Sequence, residues 1–258
     1  MIEILTPGEV EAARPAGRFV AATLRELQRR TVPGTNLLEI DAWAREMIRA
    51  AGATSCYVDY APSFGRGPFG KVICTSVNDA VLHGLPHDYV LQEGDLLSLD
   101  FAVALRGWVA DSAVSFTVGK SADPRDQHLI DATRAALAAG IEAAQPGRRT
   151  GDISYAIGSV LTSAGYRVNT EFGGHGVGST MHQGPHVANI GRSGRGYVLQ
   201  PGLLLAIEPW VMSGTDKLVI DRDGWTLRSA NGQRAAHSEH TVAITESGPE
   251  ILTVADGS

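Results

Sequence analysis

Four acidic residues of this chain, Asp100, Asp111, Glu208 and Glu239, each lie in a run where apolar residues recur at every second position. In Leu97-Ser98-Leu99-Asp100-Phe101-Ala102-Val103, strand parity puts Leu97, Leu99, Phe101 and Val103 on one face and Ser98, Asp100 and Ala102 on the other. The same parity sets Asp111 with Ala113 and Ser115 against Val114 and Phe116. It sets Glu208 with Ala206 against Leu205 and Ile207, and Glu239 with Thr241 against Val242 and Ile244. Taken singly, each is an ordinary solvated strand acid. Internal repetition changes that reading. Leu91-Gln92-x-Gly94-x-Leu96-Leu97-x-Leu99-Asp100 returns as Leu199-Gln200-x-Gly202-x-Leu204-Leu205-x-Ile207-Glu208, and Asp111-x-x-Val114-x-Phe116-Thr117 returns as Glu239-x-x-Val242-x-Ile244-Thr245. The acids thus hold paired positions in two similar halves, roughly 1–125 and 126–258, and a pseudo-two-fold axis would gather all four. Converging anions raise one another's pKa and call for protonation, salt bridges or metal ions, of which divalent metals are the economical solution.

Three histidines stand in glycine-rich surroundings that suggest backbone bent around a site: His83 in VLHG, His175 in GGHGVG and His182 in MHQGP. His87, His128, His186 and His240 are read as satisfied polar residues. The pairs His83/His87 and His182/His186 are four apart, but prolines intervene and no glutamate follows the first histidine, so neither is a zinc-protease helix. Gly65-x-Gly67-x-x-Gly70 matches a dinucleotide fingerprint in form only, because Pro68 interrupts it and VICTSV after it reads as a strand.

The elements that must position these residues have their own signals. Thr6-Pro7 reads as a cap and first turn of a helix running to about Leu27, with Pro15 kinking it or delaying its start. After Pro33-Gly34, Leu37, Ile40, Ala44 and Ile48 recur at helical spacing until Ala51-Gly52. Pro146-Gly147 followed by Ile153, Ile157 and Leu161 and closed by Ala164-Gly165 repeats that pattern 113 residues later. The strands carrying the acids would turn their apolar faces to such helices.

Composition narrows the class. At 258 residues and 43% apolar, one large domain with a sizeable core is accessible. A net charge of -6, with no run of lysine or arginine longer than two, argues against nucleic-acid binding. The N-terminus has no signal-like stretch and no 18-residue apolar run occurs, so no membrane association and a cytoplasmic location are expected. Two cysteines, Cys56 and Cys74, are too few for a disulfide scaffold and read as reduced thiols.

The segments NDAVLHG (78–84), LSLDFAV (97–103), WVADSAVSFTVG (108–119), GGHGVG (173–178), LLAIEPW (204–210) and SEHTVAIT (238–245) resemble, in order, the signature segments of methionine aminopeptidases. The opening residues 2–21 resemble that family too, without a zinc-finger or polybasic extension. Only 26 positions separate His182 from Glu208, which leaves no room for the helical insertion of type II enzymes and favours type I. The resemblance implies an α+β pita-bread (creatinase/aminopeptidase-like) fold. Its pseudo-two-fold halves would be curved antiparallel sheets covered by helices, forming a single catalytic domain over 1–258.

It also implies a hydrolase that removes the initiator methionine from nascent proteins. Asp100, Asp111, His175, Glu208 and Glu239 would be the metal ligands of two divalent ions, drawn from Co, Mn, Fe or Zn. Such a pair, about 3.5–4 Å apart, acidifies a bridging water and polarises the scissile carbonyl. By similarity, Glu208 relays the water's proton, His182 stabilises the oxyanion, and His83 contacts the scissile amide. Phe69, Cys74 and Trp225 resemble the apolar methionine pocket, where sulfur and aromatic contacts suit a thioether. The implied partners are peptide or nascent-protein N-termini beginning with Met, met at the ribosome.

The chain departs from the family at Met181, where phenylalanine is usual, and at Gln183 and Gly184, where glutamates are usual. It departs again in the longer segment between Cys56 and Cys74, which leaves Cys56, Tyr57 and Tyr60 unassigned, and at Ser238, where an aromatic is common. An Xaa-Pro peptidase of the same fold is the rival enzyme, disfavoured because those usually carry an added N-terminal domain. A ligand-free binding protein on this scaffold is disfavoured by the complete ligand set.

Overall fold

Helix α1 (Pro7–Arg30) begins where the Thr6 side chain accepts from the Glu9 backbone N–H while the Glu9 carboxylate accepts from that of Thr6, with proline next at a position needing no donor. It neither starts late nor stops at Pro15, and it passes Leu27. The buried face Val10, Ala13, Ala16, Val20, Leu24, Leu27 is continuous across the proline. Each Val or Leu buried there contributes about 1.5–3 kcal/mol, which together outweighs the roughly 3 kcal/mol cost of an internal proline. Helix α2 (Leu37–Ala51) is capped by Asn36, paired reciprocally with Glu39, and ends at Gly52 in the left-handed region (φ 63°).

The structure is a computed structural model, and it describes residues 1–62, 66–121 and 123–254. After α2 come β1 (Thr54–Ser55), β2 (Cys74–Val77), β3 (Ala80–Leu82), β4 (Leu96–Leu105) and β5 (Trp108–Thr117), then α3 (Pro124–Ala143) and α4 (Thr150–Ser163). The rest is strand and turn: β6 (Gly173–Gly176), β7 (Gln183–Ala188), β8 (Leu204–Ile207), β9 (Trp210–Met212), β10 (Leu218–Ile220), β11 (Leu227–Ser229), β12 (Ala235–His237), β13 (His240–Thr245) and β14 (Gly248–Ile251). Gly65 of the dinucleotide-like stretch lies outside the described residues; no helix follows Gly70, and the next element is β2.

Two antiparallel sheets dominate. One has the order β1-β4-β2 with β5 also on β4; the other runs β14-β13-β8-β6-β7. Smaller ribbons pair β10-β11-β3 and β12-β9. The first sheet turns Leu97, Leu99, Phe101 and Val103 into a core shared with Val20, Leu24 and Leu27 of α1 and Ile40 and Ala44 of α2. The second turns Leu205, Ile207, Val242 and Ile244 onto Leu129 and Ala136 of α3 and Ile153, Ile157 and Leu161 of α4. Parity is obeyed in both, because shifting any strand by one residue would put its acid into the helix-covered core.

The same local arrangement recurs at the helix starts, where Asn36 bridges Val90 and Arg149 bridges Val198. The sheets meet where the Glu239 N–H donates to the Ala113 carbonyl at 3.0 Å and the Asp111 N–H donates to Thr241 Oγ1 at 2.9 Å. No helix among the described residues is long and apolar enough to cross a membrane.

Candidate metal centre

The long β4–β5 hairpin opposes Asp100 to Ala113 and Ala102 to Asp111, so the two aspartates emerge side by side on the face away from α1 and α2. Glu208 directly follows β8, Glu239 directly precedes β13, and His175 lies in β6 opposite Ala206 of β8. All five border one cavity where the sheets meet. Ligand atoms of Asp111, His175 and Glu239 lie within 4.8 Å of one another, as do those of Asp100, His237 and Glu239. Glu239 belongs to both groups, which is what a carboxylate bridging two ions requires.

His175 owes its place to its neighbours. A Cβ on Gly174 would sit 2.2 Å from the Ala206 carbonyl oxygen, and one on Gly176 2.0 Å from that of Gly184. These glycines therefore admit β7 and β8 close to the histidine, and the β6–β7 register shifts between Gly174 and Gly176, an irregularity at His175 of the kind that glycine crowding leads one to expect. His83 is itself at φ 54°, a left-handed conformation that a non-glycine residue holds only under constraint. The His175 Nδ1 lies 3.0 Å from the Gly176 carbonyl, which can only accept. Its proton is therefore on Nδ1, and Nε2 presents a lone pair 3.5 Å from Glu208 Oε1.

Among the described residues, no lysine or arginine borders the cavity. Burial pushes Asp100 up to about 6 and holds Asp111, Glu208 and Glu239 well above the usual carboxylate range, with the neighbouring carboxylates raising the last three further. Burial likewise holds His175 and His237 down to about 3 and His83 to about 4. Tyr57, its phenol kept protonated by burial and by the charges of Asp100 and Asp111, donates to Asp100 Oδ1 at 2.5 Å and approaches Asp111 Oδ1 at 3.3 Å. A buried acidic cluster with two neutral imidazoles and no basic side chain suits divalent cations.

Beside the acids the cavity is lined with rings and sulfur. Phe69 packs edge-on against Tyr57 (5.7 Å between centroids) and Trp225 (5.1 Å), and Tyr60 lies 6.2 Å from Trp225. Cys74, opposite Asp100 in β2, and Met181 complete this wall. Burial holds the Cys74 thiol well above its ordinary value, so it stays a neutral thiol. His182 meets His175 edge-on (4.3 Å between centroids) and lies tilted against Tyr60 (5.2 Å), and His83 meets Phe172 edge-on (5.8 Å). His83, His175, His182 and Glu208 also border an adjoining cleft that leads out past Phe172 and His186.

Every residue singled out from the sequence, namely Phe69, Cys74, His83, Asp100, Asp111, His175, His182, Glu208, Trp225 and Glu239, borders the one cavity. Of the histidines read as ordinary, His128 bonds Tyr166 and His240 bonds Thr253. Sequence reasoning overlooked His237, although it shares strand parity with Glu239, and left Tyr57 and Tyr60 unplaced.

Metallopeptidase family M24 matches residues 11–246. The chain is 43% identical over 254 residues to methionine aminopeptidase 1 of Mycobacterium tuberculosis (strain CDC 1551 / Oshkosh), covering 96% of this chain and 93% of that one. It is 39% identical to methionine aminopeptidase 1 of Bacillus subtilis (strain 168), covering 98% and 99%. Among solved structures it is similar to methionine aminopeptidase from Thermotoga maritima, with TM-score 0.93, 39% identity and coverage of 98% and 100%. An Xaa-Pro dipeptidase from Bacillus anthracis superposes with TM-score 0.77 at 22% identity, covering 97% of this chain but 61% of that one, a likeness of fold alone.

Proposed function

The chain belongs to metallopeptidase family M24, and from that premise we propose that it is a type I methionine aminopeptidase that removes the initiator methionine from nascent proteins. The observation that carries this reading is the convergence of Asp100, Asp111, His175, Glu208 and Glu239 on a cavity walled by Tyr57, Tyr60, Phe69, Cys74, Met181 and Trp225. The fold is the α+β pita-bread fold of the methionine aminopeptidases and prolidases it superposes on. The stretch 183–207 holds β7, β8 and turns but no helix, in keeping with type I.

Asp100, Asp111, His175, Glu208 and Glu239 would hold two divalent ions, of Co, Mn, Fe or Zn. When bound, the ions supply an acidified water and polarise the scissile carbonyl. Glu208 takes the attacking water's proton at a carboxylate oxygen and passes it to the departing amine nitrogen. His182, at the mouth beside His175, hydrogen-bonds the oxyanion, and His83 orients the scissile amide from the adjoining cleft. The acidic floor draws in a free α-amino group, which restricts cleavage to the first residue. The rings and sulfurs receive the thioether, each sulfur–aromatic contact contributing about 0.3–1.5 kcal/mol. Substrates are peptide and nascent-protein N-termini beginning with Met, met at the ribosome in the cytoplasm.

The test is hydrolysis of Met-Ala-Ser, Leu-Ala-Ser and Ala-Pro-Ser by metal-stripped protein resupplied in turn with Mn, Fe, Co and Zn. Metal-dependent release of methionine alone is expected. Preference for Ala-Pro-Ser would move the chain to the Xaa-Pro class, and no turnover with any metal would sink the reading.

A further inference from the structure

We propose that His237 is a sixth protein ligand of the metal centre, giving a nitrogen donor to the position otherwise held by carboxylates around Asp100 and Glu239. The inference rests on the reading of this cavity as a two-metal site and adds to it a residue outside the five-ligand set.

His237 ends β12 and is 2% exposed. Its Nε2 is buried without a hydrogen-bond partner. That atom lies 3.9 Å from both Glu208 Oε2 and Glu239 Oε2. These gaps are too long for hydrogen bonds, which end near 3.2 Å for N–H···O. They fit two donors on one ion, since each stands about 2.0–2.2 Å from a zinc-like metal and a pair can span up to about 4.2 Å. Asp100, His237 and Glu239 each offer an atom within a 4.8 Å group, separate from the group of Asp111, His175 and Glu239. Each group holds one imidazole and both include Glu239.

The backbone holds His237 in this attitude. Ser115 Oγ accepts from the His237 N–H at 2.8 Å and donates to the His237 carbonyl at 2.7 Å. Glu239, two residues on, is clamped to the same strand, its N–H on the Ala113 carbonyl and its carbonyl accepting from Ser112 Oγ at 2.6 Å. The backbone at both residues is thereby fixed against β5. An unpaired buried imidazole nitrogen costs about 1–3 kcal/mol, and a metal ion beside Asp100 and Glu239 removes that cost. A nitrogen donor in an otherwise oxygen-ligated position favours borderline ions such as Co, Fe(II) and Zn over Mn there.

The experiment loads metal-stripped protein with two equivalents of Co(II) and counts the hyperfine-shifted, exchangeable imidazole N–H resonances in the proton NMR spectrum. In parallel, Zn(II) is titrated calorimetrically into wild type and His237→Gln. Two such resonances are expected, from His175 and His237. His237→Gln is expected to keep one, and one of its two equivalents to bind at least about tenfold more weakly, since even outer-shell losses cost 10–100-fold. Two bound equivalents with a single shifted resonance would overturn the sixth ligand and leave the two-metal reading standing; so would a His237→Gln variant with both affinities unchanged. Wild type that takes up no metal would overturn both. The wild-type resonance count decides the matter even if the variant fails to fold.

Discussion

Glu208 and Tyr57 show how single side chains divide the work of the cavity. Replacing Glu208 with Gln keeps the shape but removes the carboxylate proposed to accept a proton, so kcat for Met-Ala-Ser is expected to fall about 10²–10⁴-fold. An unchanged kcat in steady-state kinetics at saturating metal would remove Glu208 from the proton path. Tyr57 acts on the acids directly, since its 2.5 Å bond favours the ionised form of Asp100 and holds one oxygen in place. Tyr57→Phe is expected to weaken binding of one metal equivalent about 10–100-fold by calorimetry while leaving the urea midpoint nearly unchanged. At this scale the acids were legible because a repeated pattern set Asp100 against Glu208 and Asp111 against Glu239. His237 shares Glu239's parity and could have been read from it, but it has no counterpart in the repeat. Tyr57 sits in an irregular stretch where neither parity nor repetition applies.

The helices and strands deliver these groups through backbone contacts that tolerate little change. The β6 glycines are the sharpest case. Gly176→Ala would drive a methyl into the Gly184 carbonyl of β7 and is expected to destabilise the protein by about 1–3 kcal/mol in urea unfolding and to weaken metal binding through His175. Gly8→Ala, in the first turn of α1 with nothing within 4 Å, is expected to be neutral or to stabilise by about 0.5–1 kcal/mol. Equal effects of the two substitutions would refute close strand approach as the reason for the glycine. Element starts were readable from local chemistry, as at Thr6-Pro7 and Asn36, because a cap is satisfied within four residues. The fate of Pro15 was not, since it depends on how much apolar surface α1 buries against β4 and β5.

For the whole molecule the buried acids tie stability to pH and metal. In metal-free protein, Asp100 at about 6 and the other three acids, held well above the usual carboxylate range by burial and by one another, keep protons that the unfolded chain releases near pH 4. Their contribution to stability is therefore lost as pH rises through those values. His175, His237 and His83, held down to about 3–4, act in the opposite sense, because the unfolded chain protonates them below about 6.5 and stability is lost as pH falls through that range. The two slopes oppose one another between about pH 4 and 6.5, and above that the acids alone remain. Divalent ions bind the ionised acids, so the rise in Tm on adding Zn or Co is expected to be larger at pH 7.5 than at 5.5, with protons released on binding at pH 6. Scanning calorimetry at both pH values checks the first, and titration in buffers of different ionisation enthalpy checks the second. A metal-induced rise in Tm that shrinks with pH would contradict these directions.

Much of this protein is determined within short stretches of its sequence: the helix starts, the strand faces, and the pairing of acids between two similar runs. Each follows from periodicities of two and 3.6 residues and from caps satisfied by near neighbours, so no distant contact is needed to read them. Tertiary structure alone decides what crosses between the sheets. It brings Asp111 against Thr241, Glu239 against Ala113, and Tyr57 onto Asp100, and it leaves His237 Nε2 facing two carboxylates without a hydrogen bond. Those juxtapositions join residues more than forty positions apart or set a side chain by the clamp of a remote strand, and they depend on how the two sheets dock.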